Sequence, residues 1–354
     1  MKYVFYLGSY TEMITPAFGG TGEGIYVLSF DEVKLKIELL HIVGIANPAY
    51  IAISSDNKFL YTITEIVKAK KPKLKSFAIK DDYSLDFICQ QEIFGGLPCH
   101  LSCTDNFVFV ACYETGDIHS YKIEGGGIIS EAAHTFRHNG SSINKTRQEG
   151  PHAHQIAIHP NGVSIYVPDL GIDTIKAYKI ADKQIVKDYL SDIVLPKGNG
   201  PRHMVFNKKG TSGYVMNELN GDVCIIKNNK NRWEHIASYP SLPSSFKGIP
   251  SGSAIRLHPN GNYLYVANRT IDAITIFKIE EDYLTLLGYQ KVKGKTLREF
   301  NISKDGKWLF ACLQDSNELV VYSIDSSSGV LKEKLRNTEV KSPVCIVFLN
   351  RNYL

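Results

Sequence analysis

Gly150-Pro151-His152-Ala153-His154 and Gly200-Pro201-Arg202-His203 place imidazole and guanidinium groups at matching points of one local pattern. Each stretch begins with Gly-Pro, passes through polar residues and runs on into an apolar segment. Glu218, Arg269, Arg298 and Gln314 follow further along the chain. Arginine offers a fixed, permanently charged fork for carboxylate or phosphate, and it can steady an oxyanion as that charge develops. Histidine titrates near neutral pH and can take a proton from water. A nearby Glu218 would orient the imidazole or share the proton. Residues of these types, if gathered, would bind a small anion and act on a carbonyl group within it.

Other chemistries fit less well. His152-x-His154 sets two imidazoles on one face of a strand, a spacing that can hold zinc, but no third ligand stands nearby, so no metal is expected. The chain has no Gly-x-Ser-x-Gly, which removes the usual strand-turn-helix serine nucleophile. The glycines from Gly19 to Gly24 lead into a strand rather than a helix, so they make a loop and no phosphate cradle. No cofactor is expected.

The elements that must position these residues repeat at roughly 50-residue intervals, a period typical of propellers and arrays. The copies start at Asn47-Pro48, Leu97-Pro98, Gly150-Pro151, Gly200-Pro201, Pro250, Thr296-Leu297 and Ser342-Pro343. Within a copy, a first apolar run leads to a turn such as His159-Pro160-Asn161-Gly162, and then to further runs rich in β-branched and aromatic residues. Asn-Gly between such runs marks a hairpin, and no sustained helical period appears. Four antiparallel strands per copy predict an all-β, seven-bladed β-propeller. The copy at Ser342 has only a first strand, whereas Tyr3–Leu7, Gly24–Phe30 and Leu39–Ile45 form three strands lacking one. The C-terminal strand is therefore expected to join the N-terminal blade and close the ring, in a single domain over residues 1–354.

Register counting sets two columns of residues at one end of the channel. The first strands contribute Ala49, Cys99, His154, Arg202, Ser253, Arg298 and Val344, and the ends of the second strands contribute Glu65, Tyr113, Leu170, Glu218, Arg269 and Gln314. On this reading His154, Arg202, Glu218, Arg269, Arg298 and Gln314 converge at the channel mouth. The segment from His134 to Glu149 interrupts the repeat with Arg137, His138, Lys145 and Arg147, and it could lie over the same mouth as a lid.

Composition narrows the partners. A net charge of +4, spread along the chain, suits a small anion better than a nucleic acid, which would call for a basic stripe. No apolar run is long enough to cross a membrane as a helix. Seven cysteines, most of them inside strands, read as reduced thiols of a cytoplasmic protein. Composition says nothing of oligomeric state.

Gly150-Pro151-His152-Ala153-His154, Gly200-Pro201-Arg202-His203-Met204-Val205-Phe206, Asn217-Glu218-Leu219, Tyr265-Val266-Ala267-Asn268-Arg269 and Arg298-Glu299-Phe300 resemble the seven-bladed lactonase family, as do Gly8-Ser9-Tyr10-Thr11 and Gly24-Ile25-Tyr26. That family includes propeller-type bacterial 6-phosphogluconolactonases and carboxymuconate lactonizing enzymes. The resemblance implies hydrolysis or formation of a lactone at the channel mouth without a required metal, and hydrolysis of a sugar-phosphate lactone, 6-phosphoglucono-1,5-lactone, is the expected reaction. His154, Glu218, Arg202 and Arg269 match the catalytic set of the lactonizing branch; Arg298 matches an Arg-x-Phe motif of the other. By extension His154 activates water with help from Glu218, and Arg202 or Arg269 steadies the carbonyl oxygen. His152, His203, Arg298 and Gln314 are expected to bind substrate, the phosphate falling to Arg298 and loop cations. Arg256 stands where the family more often has histidine. Lactone formation from a dicarboxylate, and a non-catalytic propeller binding an anion or a protein, are the rival readings.

Overall fold

At His159-Pro160-Asn161-Gly162 the chain reverses because Gly162 takes a φ of 73°, while the Asn161 side-chain oxygen accepts from the amides of Val163 at 3.0 Å and Ser164 at 2.9 Å. His258-Pro259-Asn260-Gly261 repeats this, with Gly261 at 81° and the Asn262 amide donating to Asn260 Oδ1 at 2.9 Å. Only the glycine of each pair is left-handed. The asparagine works through its side chain, which mimics a backbone turn, and not through the paired positive φ of a two-residue hairpin.

Strands joined in this way form seven four-stranded antiparallel sheets, each built from consecutive strands except at the chain ends. One sheet carries an additional short strand, Ile193–Val194, beside Thr174–Ala181. The computed structural model describes residues 1–350 apart from Ala17, Asn231 and Asp282. Pro343–Phe348 pairs with Lys2–Ser9, setting Phe348 opposite Phe5 and Ile346 opposite Leu7. The C-terminal strand thus completes the N-terminal sheet, as the repeat count requires, and the fold is the seven-bladed β-propeller. Among the described residues no helix is long and apolar enough to cross a membrane. A small hairpin of Met13–Thr15 and Phe18–Gly19 lies outside the repeat and was not expected from it.

The chain divides into two compact units: Met1–Val110, His119–Thr135 and Gly294 onward form the first, and Ala111–Ile118 with Phe136–Lys293 form the second. In the first, Phe5, Phe30, Trp308 and Phe310 pack with ring centroids 5.0–5.3 Å apart, two of the contacts edge to face. In the second, Tyr166, Phe206 and Trp233 form the matching cluster, and the Trp233 indole donates to the Tyr166 hydroxyl at 2.7 Å. Aromatic pairs in these geometries add to the burial of their large apolar area.

Two backbone features repeat and position the side chains of interest. In the sheets of Leu170, Glu218, Arg269 and Gln314 the residue just after the second strand donates its amide to a carbonyl at the entry to the first strand. Glu218 bonds Gly200 at 2.8 Å, Arg269 bonds Ser251 at 2.9 Å, Gln314 bonds Thr296 at 3.0 Å and Leu170 bonds His152 at 3.0 Å. The register then slips. Pro201 pairs with Asn217 and His203 with Met216, leaving Arg202 between them; Arg298 falls likewise between Leu297 and Glu299, and Ser253 between Gly252 and Ile255. Such a β-bulge releases one residue from the ladder and re-aims its side chain.

Candidate active site

In the second unit, Glu218 is buried and three guanidinium groups meet it. Arg147 Nη2 donates to Oε1 at 2.6 Å, Arg269 Nη2 lies 2.8 Å from Oε2, and Arg202 Nε lies 3.1 Å from Oε2, off the line of a hydrogen bond. Burial alone would raise the Glu218 carboxyl. Arg269, Arg202, Arg147 and His154 overcome that and hold it well below the usual carboxylate range. Glu218 therefore stays ionised at any physiological pH. Three cations against one carboxylate leave two positive charges in excess.

Two of these arginines are also tied to backbone. Arg202 Nη1 donates to Ser253 O at 2.8 Å and Arg269 Nη2 to Gly252 O at 3.2 Å, while Arg269 Nε is buried with no hydrogen-bond partner among the described residues. The Arg202 guanidinium also lies on the His203 ring, Nη1 being 3.3 Å from Nε2. His203 and Tyr113 both present edges to the His154 ring, with centroids 5.5 Å apart in each case. The His154 amide donates to Pro168 O at 2.9 Å, which fixes its backbone beside the second strand although no regular ladder begins until Ala157. His154, Arg202, Glu218 and Arg269, four of the six residues that register counting grouped, thus lie together, with His203 beside Arg202 and His154. His152 stacks on Tyr113 at 4.4 Å and bonds the Tyr113 carbonyl through Nδ1 at 2.8 Å, which makes it a support for the tyrosine.

Arg147 was legible only as one cation of an irregular loop. That loop is shorter than the sequence implied, because His134 to Arg137 belong to the strand Ile129–Arg137. From His138 to Glu149 it is held at several points. His138 Nδ1 lies 2.6 Å from Asp169 Oδ2, with the Tyr178 hydroxyl 2.8 Å from Nε2, and all three residues are buried. Ser142 Oγ donates to Asp173 at 2.5 Å and Gln148 Nε2 donates to Leu170 O at 2.9 Å. Asp169 also accepts the His152 amide at 2.7 Å, and Asp173 accepts that of Gly200 at 2.7 Å. Two buried carboxylates thereby fix the loop and the starts of both histidine- and arginine-bearing strands together. Arg147 Nη2 completes the arrangement with a 3.1 Å bond to the Tyr113 hydroxyl.

Arg298 and Gln314 belong to the first unit and have other surroundings. Arg298 Nη2 donates to the Tyr10 hydroxyl at 2.6 Å, Tyr10 donates to Glu65 Oε2 at 2.8 Å, and Glu65 Oε1 lies 3.9 Å from the arginine. The guanidinium sits 5.1 Å from the centroids of both Tyr10 and Phe18. Here one cation faces one carboxylate, and aromatic rings cover it. Gln314 Nε2 donates to Gly19 O at 3.1 Å, tying the hairpin that carries Phe18. Register counting found Glu65 but not Tyr10, which follows the second strand of the N-terminal sheet and donates its amide to Ser342 O at 3.1 Å, nor Phe18, from the hairpin outside the repeat.

Comparison with known proteins agrees with this architecture. The family model described as lactonase, 7-bladed beta-propeller, matches residues 4–348. A 6-phosphogluconolactonase of Bacillus subtilis is 31% identical, the match covering 99% of each chain. A solved structure from Bacteroides fragilis is 30% identical with a TM-score of 0.90 over 98% of both chains. A periplasmic gluconolactonase of Pseudomonas aeruginosa, 25% identical, also reaches 0.90 over 98% of this chain and 99% of its own.

Proposed function

The chain belongs to the seven-bladed β-propeller lactonase family, and on that premise we propose that it hydrolyses 6-phosphoglucono-1,5-lactone to 6-phosphogluconate at the arginine cluster of the second unit. The observation that carries this reading is the excess of positive charge around Glu218, with His154 beside it. A sugar lactone bearing a phosphate brings the negative charge that such a cluster lacks. Its carbonyl oxygen gains further charge as water adds, and Arg269 or Arg202 would stabilise it.

In the proposed reaction His154 takes a proton as a water oxygen bonds to the lactone carbon. The tetrahedral adduct then collapses, the bond to the ring oxygen breaks, and the imidazolium returns its proton to that oxygen. The acid formed ionises, so each turnover releases one proton. Glu218, held ionised by its arginines, is a weak base and serves to fix them in place. The seven cysteines, all free, fit a reducing compartment such as the cytoplasm.

The test is proton release or lactone loss measured against the spontaneous rate. Wild-type protein is expected to accelerate it, and His154→Ala to lower that acceleration by about 10²- to 10⁴-fold. An unaltered rate in the variant removes His154 as the base. A wild type with no acceleration on any sugar lactone removes the reading.

A further inference from the structure

We infer that Arg147 is the residue that selects phosphorylated over unphosphorylated lactones, by exchanging its bond to Glu218 for one to the substrate phosphate. The inference rests on the lactonase reading of this site and adds to it a specificity residue from outside the repeated strands.

The three arginines on Glu218 are not equivalent. The side chains of Arg202 and Arg269 are 4% and 18% exposed, and each also donates to a backbone carbonyl of a neighbouring strand. They are held whatever occupies the site. The Arg147 side chain is 42% exposed, and its recorded partners are two side chains, Glu218 and the Tyr113 hydroxyl. The pair is open to water on the arginine side alone, Glu218 being buried, so solvent and an incoming anion compete for the guanidinium. Glu218 would keep Arg202 and Arg269 after losing Arg147, so releasing this arginine leaves no buried carboxylate unpaired.

The incoming group favours the exchange. A phosphate monoester carries close to two charges at neutral pH and presents several oxygens to a guanidinium fork. The loop need not move. His138 on Asp169, Ser142 on Asp173 and Gln148 on Leu170 O hold its backbone on both sides of Arg147, so rotation of one side chain is enough. A fixed loop with one exposed arginine acts as a selector rather than a lid. Unphosphorylated lactones offer nothing for Arg147 to exchange toward.

The experiment compares kcat and KM of the full chain on 6-phosphogluconolactone and on gluconolactone, for wild type, Arg147→Gln and Arg147→Lys. Arg147→Gln is expected to lower kcat/KM on the phosphorylated lactone by about 10- to 100-fold, mostly through KM, and on gluconolactone by about threefold or less. Arg147→Lys, which keeps the charge but loses the fork, should fall between. Equal losses on both substrates would overturn the inference and leave Arg147 as a support of Glu218 alone. Calorimetry with the product 6-phosphogluconate and with gluconate separates this from the lactonase reading. If wild type hydrolyses neither lactone yet binds 6-phosphogluconate more tightly than Arg147→Gln does, the selector stands and the reaction falls. Equal binding by the two proteins overturns the selector.

Discussion

Two arginine clusters occupy equivalent positions of the repeat and have opposite character. In the second unit Arg202 emerges from a first-strand bulge and meets a glutamate that follows a second strand, with Arg269 and Arg147 converging on the same carboxylate. In the first unit Arg298 emerges from a like bulge, but it meets a single glutamate and is enclosed by Tyr10 and Phe18. The same backbone thus brings three guanidinium groups to one carboxylate in one place and sets a guanidinium beside aromatic rings in the other. What decides is how many cations share each carboxylate, and whether something other than substrate already covers the guanidinium.

The largest effect should come from removing the shared anion. Glu218→Gln leaves converging cations without their counter-charge and is expected to cost about 3–5 kcal/mol of stability, read from denaturant unfolding. Glu65→Gln, where the arginine keeps its aromatic cover, should cost about 1–3 kcal/mol. Comparable losses would erase the distinction between the clusters. Activity should divide the same way: Arg269→Gln is expected to lower kcat by about 10²- to 10³-fold, if it stabilises the oxyanion. Arg298→Gln should act mainly on the melting temperature. A folded Arg298→Gln protein that fails on the phosphorylated lactone would restore Arg298 to the substrate-binding role its register suggests.

The two clusters should also fail at opposite ends of the pH scale. The Glu218 carboxyl lies well below its unfolded value near 4.3, so its contribution is complete above that pH and is lost as pH falls toward the folded value. Burial raises the Tyr10 hydroxyl well above 10, Arg298 opposing and Glu65 adding to the shift. Its contribution is complete below pH 10, where both folded and unfolded forms keep the proton, and is lost as pH rises beyond that. Glu218→Gln should therefore flatten the acid limb of a stability profile and Tyr10→Phe the alkaline limb. The reverse assignment, or no change in either limb, would contradict the charge balance described. The smallest effect is expected of Tyr113→Phe, which removes one acceptor from Arg147 and should change KM for the phosphorylated lactone by about two- to tenfold.

Much of this was readable in the chain because the repeat carries it. Glu218, Arg269 and Gln314 each follow a second strand directly, so counting from the aromatic residues of that strand finds them. The grouping was less accessible. Register counting treats every blade alike, so it does not disclose that Phe18, from the added hairpin, lies beside Arg298 together with Tyr10. Arg147 escaped for a related reason: its loop follows no period, and its position depends on His138 finding Asp169, 31 residues away in sequence. Pairings between unlike segments leave no periodic trace.

The bulge at Arg202, Ser253 and Arg298 has a consequence for how such a protein changes over time. A residue released from the ladder can be replaced without breaking a strand pairing, so its identity is set by its side-chain contacts and not by the ladder. Ser253 holds the slot that Arg202 and Arg298 hold in other blades, and its small side chain leaves that slot chemically quiet. Gene duplication that multiplied the blade would have multiplied these interchangeable sockets with it. New substrate preferences could then arise by substitution at one socket at a time, each trial made on a scaffold that is already folded.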